Sequence, residues 1–274
     1  MTMTMTFTDI LYQKQGGVAR VTLNRPQAMN SVNMHTLHEM EAAFNDIEQD
    51  PEVKVVVVSG AGERAFSAGG DLKQMHERVQ DQVNYVAKYN QVMNQIERCS
   101  RPTVARINGL ALAGGIEIAL ACDILIAAED TWMGDQHANI GSVPGAGASQ
   151  RLARTVGVKK ALELVLSGNW VSATEAKRIG LVNHVVPREK LDERVNWMVE
   201  SLLDKSSPTM KWAKYAIQRG SQVDLMTGLD IERWAAYRAQ VEGERGGWQS
   251  FGRKPVFEPG ADYIRCVRPE EANP

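Results

Sequence analysis

Disulfides are the first thing this sequence lacks. Its 274 residues hold three cysteines, Cys99, Cys122 and Cys266. They are odd in number, widely spaced and never grouped in pairs. That excludes a disulfide framework and fits a reducing compartment. An excess of one charge is missing as well. The formal net charge is −2 and no basic stripe runs along the chain, so there is no electrostatic footprint for nucleic acid. The opening Met1-Thr-Met-Thr-Met-Thr6 has neither a cationic segment nor an apolar run, so no signal peptide is expected from it. Only residues 110–128 approach the length of a membrane span. They contain Glu117, Asp123 and a glycine pair, and a carboxylate near the centre of a span costs about 2.5–3.5 kcal/mol. The expected reading is a buried helix running into a buried strand, with no membrane partner, in a soluble and cytoplasmic protein.

What is present is enough apolar material, 43% of residues, for one large core or for a main domain with an appendage. The first half alternates strand and helix signals. Val18–Leu23 alternates and is β-branched, and it ends at Asn24-Arg25-Pro26. Met34, Leu37, Met40, Phe44 and Ile47 recur at helical spacing, and Pro51 follows the end of that helix. Residues 53–58 form a continuous apolar run of strand length, as in a sheet covered on both faces. A glycine-rich loop over 59–70 leads to a long polar helix expected over 72–97. A short strand over 103–107, a helix opened by Gly114-Gly115 and a strand over 123–128 follow. Beyond residue 145 helices dominate. Ser172-Ala-Thr-Glu175 is a capping box and Gly180 a helix stop, with further helices over 188–203, 208–218 and 225–241. This order predicts an α/β core over residues 1–200 and a helical C-terminal region over 201–274.

The most informative stretch is Asn108 to Asp123. A small-residue turn that opens a helix leaves backbone N–H groups free to face a developing negative charge. Glu117 follows one turn later among Ile116, Ile118 and Leu120. A partly desolvated carboxyl there has its pKa raised toward working pH. An oxyanion-binding turn beside a tuned acid–base group suits chemistry next to a carbonyl. The plain alternative, a helix that carries Glu in its first turn because the dipole favours it, stands at equal weight on this segment alone. Gly69-Gly70 before Asp71-Leu72 reads as a second turn opening a helix, with Gly70 as a second donor.

Other motifs fall away. Gly60-Ala-Gly-Glu-Arg-Ala65 matches a dinucleotide fingerprint, but the loop runs on through Phe66-Ser-Ala-Gly-Gly70 where a Rossmann helix must begin, which rejects an NAD site. Ser67 lacks the nucleophile-elbow pattern. His35 and His38 share a helix face without a third ligand. Asp135-x-His137 is too sparse for a metal site. On spacing alone, His137 reads as a satisfied loop histidine.

Taken together, six segments resemble the crotonase superfamily, the enoyl-CoA hydratase/isomerase family. They are Leu23-Asn-Arg-Pro-Gln-Ala28, Ala65-Phe-Ser-Ala-Gly-Gly-Asp-Leu72, Asn108 through Asp123, Gly141-Ser-Val-Pro-Gly-Ala-Gly147, Ala173 through Val182, and Phe251-Gly-Arg-Lys-Pro-Val-Phe257. The resemblance implies a spiral of ββα units with a C-terminal helical trimerisation region, assembled as a homotrimer or a dimer of trimers. It implies an acyl-CoA thioester substrate, coenzyme A being part of that substrate, and no metal or redox cofactor. By position, Gly70 and Gly114 match the oxyanion donors. Gln27, Ala28, Ala68, Asp71 and Leu72 match residues lining the CoA adenine and pantetheine, and Arg253 or Lys254 match basic residues approaching a neighbouring subunit's CoA phosphates. Glu117 matches the first catalytic glutamate of the hydratases. His137 stands where hydratases carry a second glutamate, and neutral imidazole can accept a proton from water. The activity expected is addition of water to a 2-enoyl-CoA. Relatives that hydrolyse carbon–carbon bonds have a histidine in this loop and an Asp in the next turn, where this chain has Ala146. Double-bond isomerisation and a silent CoA-binding subunit are the remaining alternatives.

Overall fold

A computed structural model describes residues 7–73, 79–243, 254–256 and 265–267. The chain falls into two compact units, Met1–Trp197 and Met198–Pro274.

The first unit opens with an antiparallel hairpin of β1 (Ile10–Gln15) and β2 (Val18–Leu23), closed by Gly16-Gly17. Helix α1 (Met34–Gln49) starts at Asn33, whose side chain accepts the Thr36 N–H at 2.7 Å, and it buries Leu37, Met40, Phe44 and Ile47. The chain then repeats one pattern. Strand β3 (Val55–Gly60) is followed by β4 (Ala65–Ser67) and α2 (Val79–Arg98). Strand β5 (Thr103–Ile107) is followed by β6 (Leu110–Leu112) and α3 (Gly114–Ala121). Strand β7 (Ile124–Ala128) is followed by β8 (Trp132–Gly134), a 3-10 turn over His137–Ile140, and the helices α4 (Ala148–Val156) and α5 (Val158–Ser167). Strand β9 (Val171–Ser172), α6 (Ala173–Arg178) and β10 (His184–Val186) complete the spiral.

Each turn of the spiral therefore gives one strand to each of two sheets. One sheet has the order β1-β2-β3-β5-β7-β10 and the other β4-β6-β8-β9. From β2 onward the larger sheet is parallel, with Val18 opposite Val55, Val56 opposite Thr103, Val104 opposite Ile124 and His184 opposite Ile126. Val55–Val58 are buried on both faces, as a parallel strand covered by helices must be. The small-sheet strands end at the glycine turns that precede α3 and the loop after Ser67, so the spiral delivers those turns to one place.

After a 3-10 turn over Arg188–Lys190 comes α7 (Leu191–Leu203). The second unit contains α8 (Ser207–Gly220) and α9 (Leu225–Glu242), which pack through Trp212, Tyr215 and Trp234, and a pairing of β11 (Lys254–Val256) with β12 (Arg265–Val267). Among the described residues no helix is long and apolar enough to cross a membrane; residues 110–128 instead form β6, α3 and β7.

Two expectations need correction. The helix expected over 72–97 begins, among the described residues, at Val79 and not at Leu72. No helix opens at Gly69-Gly70. Val32 donates to the Gly69 carbonyl at 2.8 Å and Asp71 donates to the Val32 carbonyl at 2.8 Å, so Gly70 is held extended in a parallel bridge with Val32.

Buried Asn30 locks this region. Its Oδ1 accepts the Arg25 N–H at 3.0 Å, and its Nδ2 donates to the carbonyls of Ala61 and Ala65 at 2.9 and 2.8 Å, from a backbone with φ of 53°. Asn30→Ala removes three bonds of about 1 kcal/mol each and leaves buried backbone groups unpaired. It is expected to lower unfolding free energy by about 3 kcal/mol, read as a shift of the urea midpoint at constant slope.

Candidate active site

A cavity of about 740 Å³ lies in the first unit. Its lining brings together Gln27, Ala28, Ala68, Gly70, Asp71, Leu72, Gly114, Glu117 and His137. Nine site residues picked from the sequence thus share one space, although they come from four separate segments. Arg253 lies outside the described residues. Lys254 begins β11, and its side chain also lies outside them.

The two glycine turns are in direct contact. Gly69 adopts φ of +96°, and a Cβ there would stand 2.7 Å from the Gly114 nitrogen. A Cβ on Gly115 would run into the Ser67 carbonyl oxygen. Only residues without side chains allow this approach. Ala113, just before α3, takes a positive φ of 49°, a strained conformation for alanine of the kind concentrated at functional sites. The N–H groups of Gly70 and Gly114 donate to no other atom among the described residues, and both border the cavity. They are available to an oxygen that carries negative charge. Of the two, only the Gly114 N–H belongs to a helix N-terminus. Ser67 is no nucleophile, because its Oγ donates to the Asn30 carbonyl at 2.8 Å and accepts the Gly69 N–H at 3.1 Å.

Glu117 is 2% exposed on the buried helix α3. Its Oε1 accepts two backbone N–H groups, from Ala146 at 2.9 Å and Ala148 at 3.0 Å. Burial still outweighs these bonds and the attraction of His137, and holds the Glu117 carboxyl above the usual carboxylate range. The loop that supplies the donors is itself pinned by Arg151, which donates to the Ala146 carbonyl at 2.9 Å while paired with Glu97 of α2 at 2.8 Å. Asn90 of α2 donates to the Gly145 carbonyl at 3.3 Å.

His137 is not a plain loop histidine. Its Nδ1 lies 2.9 Å from Oδ1 of Asp135, and that same oxygen accepts the His137 backbone N–H at 2.9 Å. Asp135 is 1% exposed. Burial alone pulls the His137 pKa down, but the hydrogen bond and charge of Asp135, with the charge of Glu117, prevail and raise it.

Several lining residues were not singled out by sequence. Tyr85, Val86 and Tyr89 come from one face of α2, and Tyr85 donates to the Val32 carbonyl at 2.6 Å. Arg25 pairs with Asp71 at 2.9 Å. The helical spacing of Tyr85 and Tyr89 marks a buried face but not a cavity wall. Among the described residues no cluster of three or more His, Cys, Asp or Glu side chains can hold a metal ion.

The enoyl-CoA hydratase/isomerase family model matches residues 13–259. The chain belongs to that family. It is 38% identical over 229 residues to the short-chain-enoyl-CoA hydratase of Clostridium acetobutylicum, covering 83% of this chain and 88% of that protein. It is 35% identical over 229 residues to the crotonyl-CoA hydratase of Syntrophomonas wolfei, with coverage of 83% and 88%. The crystal structure of enoyl-CoA hydratase from Bacillus anthracis superposes with a TM-score of 0.86 at 37% identity, covering 89% of this chain and 96% of that one. The spiral and helical C-terminal region expected from the sequence are thus the family's fold.

The contact between the glycine turns is testable. Gly115→Ala forces β4 and α3 apart and is expected to cost about 3 kcal/mol, the upper end for overpacking. A urea midpoint within error of wild type would show that the turns do not meet as described.

Proposed function

We propose that this chain is an enoyl-CoA hydratase, a lyase that adds water across the 2,3 double bond of an acyl-CoA thioester. The observation that carries the reading is the convergence of two free backbone donors, a buried carboxylate and an imidazole on one cavity. In this reading the thioester oxygen sits between the Gly70 and Gly114 N–H groups. Polarising that carbonyl makes C3 electrophilic, and when water attacks, charge collects on the same oxygen as an enolate. Each donor contributes about 3–4 kcal/mol of transition-state stabilisation, by comparison with other oxyanion holes. Glu117 and His137 handle the two protons, one leaving water and one arriving at C2. Proton transfer and backbone donors suffice for this reaction, and coenzyme A enters only as part of the substrate.

Gln27, Ala28, Ala68, Asp71 and Leu72 line the approach for the adenine and pantetheine. The Arg25–Asp71 pair neutralises a carboxylate that otherwise repels the CoA phosphates. Arg253 and Lys254 serve the phosphates of a neighbouring subunit's CoA, in a homotrimer or dimer of trimers in the cytoplasm. Ala146 gives the site only its N–H, and no acid stands at that turn, which weighs against carbon–carbon hydrolysis.

Glu117→Gln keeps an oxygen for the Ala146 and Ala148 N–H groups but loses the ionisable oxygen. It is expected to slow hydration of crotonyl-CoA by roughly 10²–10⁴-fold, with the unfolding midpoint nearly unchanged. Loss of the conjugated-thioester absorbance, with 3-hydroxybutyryl-CoA identified as product, measures it. Full activity in the variant removes Glu117 from the chemistry.

A further inference from the structure

Asp135 and His137 form a unit that the sequence alone does not reveal. Oδ1 of Asp135 accepts from both the backbone N–H and the ring Nδ1 of His137, each at 2.9 Å. A carboxylate only accepts, so the ring proton facing it is on Nδ1. That leaves Nε2, which has no hydrogen-bond partner among the described residues, on a side chain that borders the cavity. Asp135 has 0% side-chain exposure, and its Oδ2 is buried without a hydrogen-bond partner among the described residues. A carboxylate so placed is costly unless it is matched by a cation.

We propose that Asp135 is a positioning residue: by accepting the Nδ1–H hydrogen bond it makes Nε2–H of a charged His137 the group that hands a proton to C2 of the substrate. This rests on the hydratase reading and assigns its two proton roles. Glu117, with Oε1 committed to two N–H groups, uses its other oxygen as the base. Water forms the new C3–O bond while losing a proton to Glu117. The C2–C3 π pair moves into the enolate held by Gly70 and Gly114, then returns to form the C2–H bond with the proton from Nε2. Glu117 passes its proton to His137, and both groups are restored. Asp135 and Glu117 are the charged groups that face the ring, and each favours the imidazolium.

Turnover needs Glu117 ionised and His137 protonated, so kcat/KM rises through the first pKa and falls through the second. Both pKa values are raised from their ordinary positions. Asp135→Asn preserves an oxygen for the two N–H groups but removes the charge, so the His137 pKa falls.

The experiment is crotonyl-CoA hydration against pH for wild type and Asp135→Asn, together with a 15N titration of the imidazole in both. The expected result for Asp135→Asn is a kcat lower on the order of 10²-fold, the low end for a positioned acid, a KM close to wild type, and an alkaline limb moved to lower pH. The 15N titration of His137 moves the same way. Asp135→Ser gives the same direction where Asn fails to fold. A folded variant with an unmoved alkaline limb and unmoved His137 titration overturns the proposal and leaves the hydratase reading intact. If wild type hydrates no 2-enoyl-CoA, the hydratase reading fails and the catalytic role with it, while the 15N titration still separates the Asp135–His137 coupling from that failure.

Discussion

The structure turns on how it keeps a carboxylate in an apolar helix. Burying an ionised carboxyl costs several kcal/mol even after relaxation. Glu117 is flanked in sequence by Ile116 and Ile118, both essentially inaccessible, so its own helix offers no relief. The relief comes from elsewhere in the chain, through the Ala146 and Ala148 N–H groups that converge on one oxygen. A helix N-terminus has unpaired donors in its first turn, and Ala148 opens α4. The start of α4 and the side chain of α3 therefore satisfy each other. Arg151 and Asn90 then fasten the donor loop to α2. Three helices from distant parts of the sequence are thus fixed by the needs of one oxygen atom.

The two-sheet spiral explains why the remaining groups reach the same point. A parallel strand must be followed by a crossover, and from β3 onward each crossover first donates a short strand to the smaller sheet. Strands β4 and β6 pair in parallel, so the turns that follow them, Gly69-Gly70 and Ala113-Gly114, emerge side by side. Strand β8 pairs next to β6, which brings Asp135 and His137 to the same edge. The two glycine turns and the imidazole thus follow equivalent short strands in successive turns of the spiral, and Glu117 lies one helical turn beyond the second of them. That explains how segments separated by dozens of residues build one cavity without any long-range side-chain bond between the two glycine turns.

Much of this was legible in the sequence where one segment carried its own signal. The run ending in Val55–Val58 could only be a strand covered on both faces, and Gly114 did open a helix with Glu117 in its first turn. The capping role of Ser172 toward Glu175 was equally local. What was not legible depended on partners. Strand β1 has an exposed face with Leu11 among polar residues, so its run carries little signal without β2 beside it. Strands β4, β6 and β8 span three residues each, too short for any periodicity. Gly69-Gly70 looked like a helix start, because small residues before an acid also read that way; the bridge with Val32 decides otherwise. The pinning of the loop before α4 by Arg151 joins positions 54 residues apart, and nothing in either segment announces it.

The histidine shows most clearly how a local motif changes meaning once its surroundings are known. Asp-x-His alone describes a common turn in which the Asp oxygen accepts the backbone N–H two residues on, and that bond is present. The same oxygen also meets the ring, which an exposed turn does not require. Burial changes the balance: in a low dielectric an unneutralised Asp135 is expensive, and a second acid, Glu117, faces the same imidazole from α3. Two acids around one ring stabilise the imidazolium against the effect of burial. On the proposed hydratase reading, one proton donor and one proton acceptor are built from two carboxylates and a histidine, with one carboxylate holding the charge of the donor. In the proposed hydratase the outer Asp acts through the ring and not on the substrate, and its place two residues before the histidine is what presents one oxygen to both N–H groups at once.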